Sequence, residues 1–131
     1  MTKPDQRDIA GELRGANEEL EAAKLLLKNH LFAQAVSSAY YAVYHAARAA
    51  LWSREKNAKT HRGIAQLFGE EFIRTGELEA LYANILTGHR ERREMADYDP
   101  VDFQISSVRA ESVVTEAQQF VEKIKDLLGK V

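Results

Sequence analysis

Residues 39–48, Ala-Tyr-Tyr-Ala-Val-Tyr-His-Ala-Ala-Arg, leave this chain little choice but to be helical. Alanine is the strongest helix former, and nothing in the segment favours a strand or a turn. At 100° per residue, Val36, Ala39, Val43, Ala46, Ala47 and Ala50 fall on one broad apolar face. Ser37, Tyr41, His45, Arg48 and Trp52 line the opposite one at helical spacing. A face that only meets solvent carries Glu and Lys. This one carries stacking and hydrogen-bonding groups, suited either to a planar or phosphorylated ligand or to a helix–helix interface.

The rest of the pattern is also helical. The chain has two prolines and no Asn-Gly or Asp-Gly between alternating apolar runs, so hairpins have no support. Leu13, Ala16, Leu20, Ala23 and Leu27 predict a first helix from about Asp8 to Asn29. The tyrosine helix follows, from Leu31 or Phe32 to about Ser53. After a polar connection, Thr60 is a good N-cap for a third helix that buries Ile64, Leu67, Phe68 and Phe72. Gly76 ends it in the left-handed conformation that glycine tolerates.

Glu77 is expected to open a fourth helix with Leu78, Leu81, Tyr82, Ile85 and Leu86 inward. Beyond His89 that helix is almost wholly charged. Residues 97–103 suggest a structured loop, and Ser106 or Ser107 caps a last helix with Val113, Ala117, Phe120, Ile124 and Leu127 at core spacing. Short connections between long helices favour antiparallel neighbours. The expected fold is therefore all-α, an up-and-down antiparallel bundle of four to five helices. Residues 1–7 are expected to be a flexible tail and 8–131 a single domain.

At 131 residues such a domain buries enough surface to fold without a metal or disulfide staple. There are no cysteines, which removes thiol catalysis and cysteine-ligated zinc. No apolar run reaches the ~18–20 residues that span a bilayer, and the N-terminus lacks a signal-peptide core, so the expected location is cytoplasmic. The net charge is −2, yet residues 54–62 and 90–93 together hold seven basic residues against two acidic ones. Brought together by the fold, they would make an anion site.

In sequence order come the Tyr40-Tyr41-Ala42 helix with Tyr44, His45, Ala46 and Ala47, then Lys59-Thr60-His61-Arg62-Gly63, an apolar helix ending near Gly76, and Arg93-Glu94-Met95-Ala96-Asp97-Tyr98. With the amphipathic closing helix, this order resembles the HEPN domain (higher eukaryotes and prokaryotes nucleotide-binding), in its small stand-alone prokaryotic branch, over roughly residues 8–128. The resemblance implies a helical bundle, usually a homodimer. Such proteins are often paired with a minimal nucleotidyltransferase in a two-component, toxin–antitoxin-like system. Many relatives are metal-independent ribonucleases that use an arginine and a histidine with four to six residues between them on a late helix.

This chain departs from that pattern. Arg90, Arg92 and Arg93 lie on the late helix, but Asp97 and Tyr98 stand where the histidine would fall. Arg54 and His61 match the spacing literally, but in the loop before the third helix. The expectation is a protein that binds a nucleotide or RNA phosphate, or a nucleotidyltransferase partner, with little or no ribonuclease activity alone. Lys59, Arg62, Arg90 and Arg93 would supply charge, and Thr60 and His61 hydrogen-bond donors. Tyr41, His45, Asp97 and Tyr98 would stack or orient. The alternatives are an endoribonuclease using His45 or His61, which can move protons near neutral pH, and a non-catalytic dimer subunit. Asp97 and Asp99 could hold magnesium, but their commoner use is to cap and lock a loop, so neither metal nor cofactor is expected.

Overall fold

The computed structural model describes residues 6–88 and 105–129. Helix α1 spans Gln6–Lys28 and α2 spans Phe32–Trp52. Helix α3 spans His61–Phe68 and continues into a widened π-helical turn, Gly69–Ile73. Residues 80–88 form α4, and Ser107–Gly129 form α5. No strand occurs among the described residues, so the all-α expectation holds.

Helix α2 is the centre of the packing, touching α1, α3 and α5. Its apolar face is buried as the periodicity requires: Val36, Ala39, Val43, Ala46, Ala47 and Ala50 are wholly inaccessible. Ala42 and Ala49 are buried as well. Below α2 the rings of Phe68 and Phe72 (5.2 Å between centroids) and of Phe68 and Phe120 (5.4 Å) form the aromatic part of the core. Truncating such a buried ring to Ala typically costs about 3–5 kcal/mol.

Two helix ends close on non-glycine residues with left-handed backbones. His30 (φ 63°) follows α1, and the Leu31 N–H reaches back to the Leu26 carbonyl at 2.9 Å. Glu55 (φ 58°) follows α2, with the Lys56 N–H on the Leu51 carbonyl at 2.9 Å. Both are six-to-one closures that satisfy otherwise orphaned carbonyls. Gly76 has the expected positive φ, 81°. Ser106 caps α5, its hydroxyl accepting from the Arg109 N–H at 3.2 Å.

Helix α1 begins at Gln6, two residues ahead of the start at Asp8 read from the sequence, since nothing between them would stop a helix. Two expectations about the fourth helix are corrected. Glu77 does not open α4, which begins at residue 80. The Leu78 N–H bonds the Phe72 carbonyl at 2.8 Å and holds this stretch in a turn. Leu78, ahead of the helix, is buried as expected together with Tyr82, Ile85 and Leu86, but Leu81 is 41% exposed.

Candidate functional site

The polar groups converge where the middle of α2 meets the first turn of α3. Thr60 caps α3 as its sequence indicates, the hydroxyl accepting from the Gly63 N–H at 2.9 Å. Gly63 is required there: a Cβ would lie 2.8 Å from the Ala58 Cβ and 3.0 Å from the Thr60 hydroxyl oxygen. That tight turn sets His61 against α2. Its Nδ1 lies 2.5 Å from the Tyr40 hydroxyl, and its ring sits 4.3 Å from the ring of Tyr44. Tyr40 is 1% exposed. A phenol buried that deeply needs a partner for its hydroxyl, and His61 is one.

His61 is therefore not an exposed residue at a helix cap. It is half-buried between two tyrosines. Lys59 and Arg62 flank it in sequence, both exposed and without an ion pair among the described residues. The other two cations of the segment are already occupied. Arg54 pairs with Glu77 and lies over the Phe72 ring, 4.7 Å from its centroid, and Lys56 is 3.8 Å from Glu71. The literal arginine-to-histidine spacing of Arg54 and His61 thus joins an arginine held by Glu77 to a histidine held by Tyr40.

One turn along α2, His45 turns toward α1. Its Nδ1 is 2.8 Å from Glu12 Oε2, and Arg48 Nη2 is 3.6 Å from Glu12 Oε1. Arg48 also lies 5.8 Å from the centroid of Tyr44, so the two histidine environments share that ring. The position of His45 depends on Gly15 of α1, because a Cβ there would meet the imidazole at 3.2 Å. Tyr41 is half-buried with its ring edge-on to Tyr40, at 5.3 Å.

The structure thus joins His61, His45 and the exposed pair Lys59 and Arg62 to one region of α2 and α3, while Thr60 serves the helix cap. Arg90, Arg93, Asp97 and Tyr98 lie outside the described residues. Sequence reasoning missed Tyr40, Tyr44, Glu12 and Gly15. Tyr40, Tyr44 and Arg48 do form a stripe at four-residue spacing, which was the available signal. Nothing in α1 alone marks Glu12 or Gly15. Among the described residues no group of His, Asp and Glu could hold a metal ion.

The HEPN domain model matches residues 12–127. A Methanocaldococcus jannaschii protein named "Putative toxin MJ0605" is 36% identical over 131 residues, covering 100% of this chain and 96% of its own length. A second from the same organism, "Putative toxin MJ0142", is 30% identical over 94% of this chain and 83% of its own. A Thermotoga maritima "UPF0332 protein" is 31% identical over 88% of this chain and 86% of its own. On a match that takes in α2, α3 and both histidine environments, the chain belongs to the HEPN domain family.

Proposed function

We propose that this protein is the HEPN component of a two-component, toxin–antitoxin-like system in the cytoplasm, and that it binds RNA or nucleotide phosphates where α2 meets α3. The observation that carries the reading is the contrast among four neighbouring cations. Arg54 and Lys56 are neutralised within the chain, whereas Lys59 and Arg62 stand exposed on either side of His61. A surface arginine and lysine without local partners attract phosphate, and the half-buried rings of Tyr44 and His61 beside them supply aromatic faces. The names of the two Methanocaldococcus jannaschii relatives support the toxin-like part of the reading. Arg90 and Arg93 would add charge to the same site.

The test is fluorescence anisotropy with a short single-stranded RNA, comparing the wild type with the double variant Lys59→Ala/Arg62→Ala. Unchanged affinity would overturn the reading.

A second reading, a metal-independent endoribonuclease, is favoured by one observation: both histidines are held by a partner, as groups that transfer protons must be. Cleavage of the same RNA in EDTA, lost in His45→Ala or His61→Ala, would establish it. Homodimerisation and a nucleotidyltransferase partner belong to the proposal too. Sedimentation at micromolar concentration giving only the 14.8 kDa monomer would remove the first.

A further inference from the structure

We infer that Glu12, His45 and Arg48 form a recognition subsite for the ribose 2′-hydroxyl and adjoining phosphate of a ribonucleotide, so that this surface distinguishes RNA from DNA. The inference rests on the phosphate-binding reading above and adds the sugar to it.

The chemistry follows from who can donate to whom. An ionised carboxylate only accepts, so the 2.8 Å contact between Glu12 and His45 puts the ring proton on Nδ1. The neutral ring then offers Nε2 as an acceptor. Glu12 engages Nδ1, Gly15 packs on the face of the ring, and Nε2 is not among the buried unpartnered atoms. The imidazole is 31% exposed, so the acceptor is reachable from solvent. A hydroxyl hydrogen is the complementary group, and the ribose 2′-hydroxyl is the one that separates RNA from DNA.

Arg48 supplies the second half. Its guanidinium is only 29% exposed, yet it makes no hydrogen bond among the described residues. The contact with Glu12 at 3.6 Å is too long for one, and the buried Nε has no hydrogen-bond partner among the described residues. A half-buried guanidinium with unused donors is a receptor for the planar oxygens of a phosphate. Tyr44, shared between Arg48 and His61, connects this subsite to the cations at the start of α3.

Two features of α1 read as construction for this purpose. Glycine inside a helix costs roughly 0.5–1 kcal/mol relative to alanine, and the chain accepts that cost at Gly15, where the His45 ring needs the space. Glu12, one turn earlier, fixes the tautomer.

The experiment measures binding of a labelled uridine hexaribonucleotide and its deoxyuridine counterpart at one salt concentration. The variants are His45→Phe and Gly15→Ala, with circular dichroism reporting the fold. The wild type should bind the ribo form about fivefold more tightly, the size of one hydrogen bond. His45→Phe should lose that preference while keeping its deoxy affinity, and Gly15→Ala, which displaces the ring, should reduce it.

Equal ribo and deoxy affinity in the wild type overturns the inference and leaves the phosphate site intact. A preference that survives in His45→Phe overturns it as well. Binding of neither oligonucleotide overturns the phosphate reading and this inference together. If His45→Phe fails to fold, Gly15→Ala decides alone: an undiminished preference there counts against the inference.

Discussion

Tyr40 and His61, separated by 21 positions, lock α2 to the start of α3 through a 2.5 Å contact between the phenolic oxygen and Nδ1. Removing only that oxygen isolates its contribution. Tyr40→Phe should keep the ring packing and lower stability by about 1–2 kcal/mol, because it leaves a half-buried imidazole nitrogen without this partner. Urea denaturation checks it. A loss within a few tenths of a kcal/mol would mean that the contact contributes nothing to the fold.

Gly15 and His45 should show a sign reversal. In the wild type, Gly15→Ala gains helix propensity but pushes a methyl to 3.2 Å from a ring that Glu12 holds in place. The substitution should therefore be neutral or destabilising. In a His45→Ala background the obstacle is gone, and the same change should stabilise by about 0.5–1 kcal/mol. A double-mutant cycle measures the coupling. Equal effects in both backgrounds would show that the close approach carries no energy.

The charges at the start of α3 should be read through salt. Each lysine or arginine that neutralises a phosphate of single-stranded RNA adds about 0.7 to the slope of log affinity against log salt. Lys59→Ala/Arg62→Ala should thus flatten the slope by about 1.4 units without changing the melting curve, since both side chains are exposed. An unaltered slope would place the phosphate contacts elsewhere.

Arg54 provides the contrast within the same segment. Its guanidinium is engaged by Glu77 and Phe72. Arg54→Ala should cost about 1 kcal/mol or less in stability, the usual range for a surface ion pair with a cation–π contact. It should change RNA affinity far less than Arg62→Ala does. Equal losses of affinity would put Arg54 in the binding site after all.

The helices themselves were legible because periodicity reports burial directly. The faces of α1, α2 and α5 and the caps at Thr60 and Ser106 could be read residue by residue. Glu77 and Leu81 were not legible, because a backbone bond from Leu78 to Phe72 decided where α4 begins. The site was legible in part. His61 and His45 were visible as residues suited to the chemistry, but what holds each of them was not. Tyr40 belongs to neither of the two faces read from the sequence, and its hydroxyl finds His61 only once α3 has packed. Glu12 and Gly15 sit on α1, and a single helix does not record what its neighbour will bring against it.

His30 and Glu55 remain, each bearing a side chain in a backbone region that costs L-residues roughly 1–2 kcal/mol. His30 lies just ahead of α2, where its ring stacks on that of Phe32 with 5.7 Å between centroids, at the opposite end of that helix from Arg48. Glycine at position 30 would relieve the strain and loosen the unfolded chain, leaving a net gain of up to about 1 kcal/mol. That corner is thus where the bundle can be made more heat-resistant while its chemistry is left alone. A His30→Gly variant would be a hardier background in which to study substitutions at the site that the native chain tolerates poorly.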